Sequence, residues 1–246
     1  MTCILLVEDD DVIRKTVSMA LGRYGYQLDT AADGLSGLEA FRGGGHDLLV
    51  LDVMLPELDG ISLCRRVRES SQVPILMMSA RGDSLDVVSG LEAGADDYVV
   101  KPVDIPVLVA RIRSVLRRAA APAEPSGGPS SGGASSGGAS SGGASSGEAS
   151  SGVLTFGELS VDPAALEVRL SGRLVELAPT EMRLLLEFAA HPGIVLERAT
   201  LLREVWDYGW DGDSRVVDLC VQRLRKKIGA DLIETVRGFG YKLRRS

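Results

Sequence analysis

The sequence predicts an α/β domain with a five-stranded, parallel, doubly wound sheet, followed by a smaller α+β domain of three helices closed by a hairpin. Three observations predict this. Short apolar runs at Cys3–Val7, Leu48–Leu51, Ile75–Met78 and Tyr98–Val100 alternate with helix-like stretches, as buried parallel strands do. From Ser130 the chain reads SSGGA three times, then SSGEA and SSG, a composition with too little apolar surface to offset chain entropy. Beyond it, an amphipathic basic helix precedes two short apolar runs split by a glycine-rich turn.

In chain order, the spacing predicts helices over Asp11–Gly22, Gly34–Phe41, Gly60–Glu69, Ser84–Ala93 and Asp104–Arg117. Asp33-Gly34 closes the remaining run. In the last helix Leu108, Ile112, Val115 and Leu116 share a face, Asp104 is placed to cap, and Pro106 is tolerated in a first turn. Domain boundaries fall near Ala121 and Val153: residues 1–121 form the first domain, 122–152 a flexible Gly/Ser/Ala linker, and 153–246 the second domain. A coil of about thirty residues spans roughly 30 Å. It transmits no torque, so the two domains are expected to communicate through dimerisation and not through a rigid push.

In the second domain, Thr155–Leu177 alternates weakly around turns at Asp162-Pro163 and Ser171-Gly172-Arg173, which predicts a small antiparallel sheet. Thr180 is expected to cap a helix carrying Met182, Leu185, Leu186 and Ala189, ended by His191-Pro192-Gly193. A second helix follows over Ala199–Val205, with Trp206 assigned to the core. The third helix, Ser214–Ile228, places Val217, Val221, Leu224 and Ile228 on one stripe. Arg215, Leu219, Gln222 and Lys226 point the other way, with Arg223 at their edge. Leu232–Arg237 and Tyr241–Leu243 then read as a hairpin around Gly238-Phe239-Gly240, with Arg237 at its tip. Helix, helix, recognition helix and hairpin together make a winged helix-turn-helix.

Composition bounds the function. A chain of 246 residues with 45% hydrophobic content supports two globular cores. No apolar run approaches a membrane span, and Met1–Val7 lacks the basic start of a secretory signal. Cys3, Cys64 and Cys220 are widely spaced, show no zinc-site spacing, and fit reduced thiols in a cytoplasmic protein. The net charge of −7 divides into −5 for residues 1–121, −2 for 122–152 and zero for 153–246. The acidic first domain is a poor nucleic-acid binder, and any DNA contact in the second must come from clustered basic residues.

Ligands of open α/β sheets sit at the carboxyl ends of the strands. That edge gathers Glu8 and Asp9, Asp52, Ser79 and Lys101: carboxylates, a hydroxyl and an ammonium. This oxygen-rich set suits a hard divalent cation with a phosphoryl group. Asp52 is placed as a nucleophile, Asp9 and Asp52 as Mg2+ ligands with Glu8 acting through water, and Lys101 as a positive charge for phosphoryl oxygens. Ser79 offers a hydroxyl, and the small Ala80 leaves room for a phosphodonor. A cis Lys101–Pro102 bond would aim the lysine into the site. In the third helix, Arg and Gln side chains suit purine edges in a major groove. Arg237 suits a minor groove.

The segments LLVEDD, LDVMLPELDG, MSA and GLEAGADDYVVKP resemble the receiver domain of two-component response regulators across residues 3–118. The resemblance implies phosphorylation on Asp52, a metal site of Glu8, Asp9, Asp52 and the Met54 carbonyl, and switch residues Ser79 and Tyr98 beside Lys101. It implies phosphoryl transfer from a phosphohistidine to the protein's own Asp52 with slow autodephosphorylation, and no separate enzyme activity. A haloacid-dehalogenase-like phosphatase also uses an Asp nucleophile but needs a second Asp two positions on, where this chain has Met54. Segments ELAPTEMRLLLEFAAHPGIVLERATLLREVW, SRVVDLCVQRLRKKI and IETVRGFGYKL resemble the effector domain of OmpR/PhoB-type regulators across residues 153–243.

That resemblance implies that Arg215, Arg223 and Arg225 face DNA, that Thr235 contacts phosphate and that Arg237 is the wing arginine. Cys220 and Gln222 replace a family His and Arg, so the operator sequence does not carry over. The family's dimer face maps to Val87, Asp96, Asp97, Val107, Arg111 and Arg118, with Val87 and Val107 replacing an ion pair. The expected partners are a sensor histidine kinase, promoter DNA, RNA polymerase and a second copy of the chain, with no membrane. A constitutive DNA binder and a phosphorelay carrier without a DNA role are the alternatives. The complete acidic site argues against the first, and the third helix and wing against the second.

Overall fold

The computed structural model describes residues 1–79, 84–119, 152–206 and 214–245, with the backbone alone for Ser84–Val87. The first domain runs β1 (Cys3–Val7), α1 (Asp11–Arg23), β2 (Gln27–Ala31), α2 (Gly34–Gly43), β3 (Leu48–Asp52), α3 (Gly60–Arg68), β4 (Ile75–Ser79), α4 (Ser84–Ala93), β5 (Asp97–Val100) and α5 (Ile105–Ala119). All strand pairs are parallel, in the order β2-β1-β3-β4-β5. Alternation along the strands divides the core. Ile4, Leu6, Leu48, Val50, Leu76 and Met78 pack with Leu21 of α1 and Leu108, Ile112 and Val115 of α5. Leu5, Val7, Leu49, Leu51, Ile75 and Met77 pack with Leu38 of α2, Leu63 and Val67 of α3, and Leu91 of α4.

Aspartates set the helix starts. Asp10, Asp33 and Asp59 each accept a backbone N–H at 2.8 Å, from Val12, Ser36 and Ser62 respectively. Each such cap is worth about 1 kcal/mol. This role takes Asp10 out of the acidic run, leaving Glu8 and Asp9 for the sheet edge. Gly60 packs against the backbone carbonyl of Asp52, where any Cβ would overlap the oxygen. Asp52 thus keeps its place only because α3 opens on glycine.

The second domain begins with the antiparallel sheet β6 (Leu154–Phe156), β7 (Leu159–Asp162), β8 (Glu167–Leu170) and β9 (Arg173–Leu174). It continues through α6 (Pro179–Ala190), β10 (Leu196–Glu197), α7 (Arg198–Trp206), α8 (Arg215–Ile228), β11 (Ile233–Val236) and β12 (Gly240–Leu243). The last two strands form the expected hairpin, with β10 on the far side of β12. Leu184, Leu185, Phe188, Leu201, Val205, Val217, Val221, Leu224 and Leu243 fill the core. One expectation changes: Thr180 does not cap α6. The helix starts at Pro179, and the Glu181 carboxylate accepts the Ala178 N–H at 2.9 Å.

The two domains pack against each other. The linker itself, from 120 to 151, lies outside the described residues. Helix α8 lies on α4, and α6 and α7 lie on α5. Arg223 donates to the carbonyls of Leu91 (2.8 Å), in the last turn of α4, and Ala95 (2.9 Å), just beyond it, where the helix dipole favours a cation. The Thr180 hydroxyl donates to Asp96 Oδ1 at 2.8 Å, and the Trp206 indole N–H to the Asp96 carbonyl at 3.2 Å. Ser114 and Arg118 of α5 both donate to the Trp206 carbonyl, at 2.8 and 3.3 Å. Charged and neutral donors meet buried acceptors throughout, so the seam carries polar specificity as well as apolar contact.

Candidate functional sites

Asp52 ends β3 and is 4% exposed; Glu8, just past β1, is 1% exposed. Asp9 beside it is exposed, and carboxylate oxygens of all three residues come within 4.8 Å of one another. Lys101, just past β5, projects its ammonium between the buried pair, 2.6 Å from Glu8 Oε2 and 3.0 Å from Asp52 Oδ2. Its peptide bond to Pro102 is cis. Glu8 Oε1 and Asp52 Oδ1 are buried without a hydrogen-bond partner. Two orphaned anionic oxygens beside a third carboxylate fit a hard divalent cation, because burying them unpaired is costly.

The electrostatics follow from this packing. Burial pushes the Glu8 carboxyl above the usual carboxylate range, and the charge of Asp52 adds to the shift, while the Lys101 hydrogen bond works against it. For Lys101, burial opposes the charged form, but the bonds to Glu8 and Asp52 and the attraction of both carboxylates outweigh it, so its pKa is raised. Ser79 is buried at the end of β4, and its carbonyl accepts the Lys101 N–H at 2.7 Å. Tyr98 is half-buried on β5, and Met54 is exposed after β3. The structure therefore brings Glu8, Asp9, Asp52, Ser79 and Lys101 to one sheet edge. Ala80 lies outside the described residues.

On the predicted dimer face, Asp97 is buried between Arg111 (3.4 Å) and Arg118 (3.6 Å). Asp96 accepts from Arg68 and from the Ile75 N–H, both at 2.9 Å, as well as from Thr180. Asp96 and Arg118, expected at an interface between copies, are thus committed within this chain, and the effector domain covers that part of the face. Val107 is 46% exposed on α5. The Val87 side chain lies outside the described residues.

In the effector domain, Arg215, Gln222 and Lys226 line the exposed side of α8 as expected. Arg223 does not. It is buried against α4, with its Nε 3.4 Å from Glu181 Oε1, so in this conformation it is unavailable to DNA. Leu219, also expected outside, is 7% exposed, because α8 buries a second face toward the receiver. Arg225 donates to the Ile233 carbonyl (2.6 Å) and to Thr235 Oγ1 (2.8 Å), tying helix to wing. Arg237 and Phe239 are exposed in the hairpin turn.

Sequence reasoning missed two groups. One is the interdomain set Ser114, Thr180 and Glu181. Ser114 lies on the side of α5 opposite its apolar stripe, so periodicity carried no sign of its burial. The other joins Arg198, Asp218 and Tyr241. Asp218 Oδ1 accepts from Arg198 Nε and Tyr241 Oη, both at 2.7 Å, and the guanidinium lies 4.8 Å over the tyrosine ring. This cluster pins α7, α8 and the wing together.

Comparison with known proteins agrees with this architecture. Residues 4–113 match the response regulator receiver domain, and residues 172–243 match the C-terminal domain of transcriptional regulatory proteins. The chain is 60% identical over 243 residues to the transcriptional regulatory protein CseB of Streptomyces avermitilis, covering 99% of this chain and 98% of that protein. It is 34% identical over 248 residues to the response regulator ArlR of Staphylococcus aureus, covering 99% and 100%. A solved structure of a RitR mutant matches over the full length of both chains with a TM-score of 0.70 at 23% identity, a likeness of fold. The chain therefore belongs to the OmpR/PhoB-type two-component response regulators, which join a receiver domain to a winged helix-turn-helix effector domain.

Proposed function

We propose that Asp52 accepts a phosphoryl group from the phosphohistidine of a sensor histidine kinase, and that phosphorylation controls promoter binding in the cytoplasm. A carboxylate oxygen of Asp52 attacks phosphorus, the nitrogen–phosphorus bond breaks, and the donor histidine, protonated on its other ring nitrogen, leaves as neutral imidazole. Glu8, Asp9 and Asp52, with the Met54 carbonyl, would hold Mg2+, which when bound neutralises phosphoryl charge. Lys101 then exchanges a carboxylate oxygen for a phosphoryl oxygen, and Ser79 donates its hydroxyl to another. The observation that carries this reading is the buried Glu8–Lys101–Asp52 group with two carboxylate oxygens left unpaired.

The same reading covers regulation. With Asp96 and Arg118 engaged by the effector domain, the receiver cannot pair through them while the seam is closed. Phosphorylation is proposed to favour the open form, in which Arg223 is released and the α4–β5–α5 face pairs with a second copy. Arg215, Gln222, Arg225, Thr235 and Arg237 then engage DNA as a dimer, within reach of RNA polymerase. Incubation with Mg2+ and acetyl phosphate is expected to add one phosphoryl group, read by intact mass, and Asp52→Asn to abolish it. Full labelling of D52N would overturn the assignment.

A further inference from the structure

At the opposite edge of the receiver sheet, the fold assembles a donor set that no stretch of sequence displays. Cys3 opens β1, Asp29 lies in β2, and His46 precedes β3. His46 Nε2 is 3.0 Å from Asp29 Oδ2, and the Cys3 thiol donates to the same oxygen at 3.8 Å. All three donor atoms lie within 4.8 Å of one another. The five-residue rise from Cys3 to Glu8 puts this group roughly 16 Å from the acidic centre, so it is not part of the phosphoacceptor site.

From this geometry we infer a second metal site, in which Cys3, Asp29 and His46 bind a borderline-soft divalent ion of the Zn2+ class, with solvent as the fourth ligand. The chemistry of the set is distinct from that of Glu8, Asp9 and Asp52. Thiolate and imidazole select Zn2+ over Mg2+, which takes oxygen ligands. The spacing fits. Tetrahedral zinc with bonds of about 2.0–2.3 Å needs roughly 3.3 Å between nitrogen and oxygen donors and roughly 3.5 Å between sulfur and oxygen. The observed pairs differ from those values by a few tenths of an ångström.

The group is also held in place before any ion binds. The Cys3 N–H donates to Asp47 Oδ2 and the Asp47 N–H to the Cys3 carbonyl, both at 2.8 Å. These two bonds clamp the start of β1 to the residue after His46. The His46 side chain is 3% exposed, its Nε2 is aimed at Asp29, and its Nδ1 has no partner. A neutral imidazole leaves that nitrogen unpaired in either tautomer, so coordination through Nε2 creates no new orphan. The Asp29 side chain is 56% exposed, leaving a way in for the ion and a place for water.

Charge and protons balance. The Cys3 thiol gives up its proton to solvent as sulfur bonds to the ion, the Asp29 carboxylate supplies an oxygen, and the His46 imidazole contributes a lone pair. Thiolate and carboxylate together neutralise a 2+ charge, and one proton is released for each ion bound.

The test uses the full chain, stripped with chelator and titrated with Co2+ as a spectroscopic probe and with ZnCl2 by calorimetry. Co2+ should give a thiolate-to-metal charge-transfer band, which an all-oxygen site cannot produce. Zn2+ should compete it away and excess Mg2+ should not. Calorimetry in two buffers of different ionisation enthalpy should report one proton released. Cys3→Ser should abolish the band, and His46→Gln should weaken Zn2+ binding at least about tenfold. Asp52→Asn, which alters only the acidic centre, should leave the band intact. Co2+ binding without a thiolate band, or a band that persists in Cys3→Ser, would overturn the site.

Discussion

Arg223→Ala tests what holds the domains together. Arg223 reaches from α8 into two carbonyls at the end of α4, with Glu181 beside it. Hydrogen bonds from a charged donor are worth about 1.5–3 kcal/mol each. Truncation removes two, but it also spares the closed form the desolvation of a guanidinium. We take about 2 kcal/mol as the net loss, roughly thirtyfold in the ratio of closed to open forms. Thr180→Val deletes the bond to Asp96 at nearly constant volume and should add about 1 kcal/mol in the same direction.

Opening should be visible in small-angle X-ray scattering. Domains of 121 and 94 residues have radii of gyration of about 14 and about 12 Å. Moving their centres apart by about 10 Å, well within the roughly 30 Å reach of the tether, raises the whole-chain value by about 4 Å. The double variant should show that rise without phosphodonor and wild type should not, whereas wild type with acetyl phosphate and Mg2+ should rise further, because the opened chain also pairs with a second copy. An unchanged radius in Arg223→Ala/Thr180→Val, with folding intact by circular dichroism, would refute the α4–α8 seam as the element that closes the molecule.

Three further outcomes are expected. Lys101→Ala should retain Mg2+ binding, measured by calorimetry, but accumulate phospho-Asp52 at least about tenfold more slowly, since the ammonium serves the phosphoryl group. Tyr241 is raised above its ordinary pKa by burial and by its bond to Asp218. Its contribution to stability is therefore full below the unfolded tyrosine value near 10 and is lost as pH rises through the higher folded value. Tyr241→Phe should cost about 1 kcal/mol at neutral pH and flatten the alkaline limb of a urea-denaturation profile. Arg237→Ala should lower the salt slope of DNA binding by about one unit, whereas Gln222→Ala should change the preference among bases, both read by fluorescence anisotropy.

The alternating apolar runs, the strand-end carboxylates, the starts of the first-domain helices and the C-terminal hairpin were legible because each is a local matter. Period, capping and turn chemistry are written within a few residues. Glu8, Asp9, Asp52, Ser79 and Lys101 were legible together for one further reason: a parallel doubly wound sheet sends all its strand ends to one edge. What the sequence left undetermined depends on contacts between distant segments. Arg223 occupies the expected outer edge of an amphipathic helix, and only the approach of α4 turns that edge into a buried seam.

The same holds for Leu219, buried by that approach, and for Asp96 and Arg118, whose charges are met within the chain instead of by a second copy. Cys3, Asp29 and His46 lack any motif spacing, and strand register alone draws them together. Periodicity says which face of an element is apolar. It does not say which other element covers the remaining faces, because that choice rests on the shape and charge of surfaces far apart in sequence.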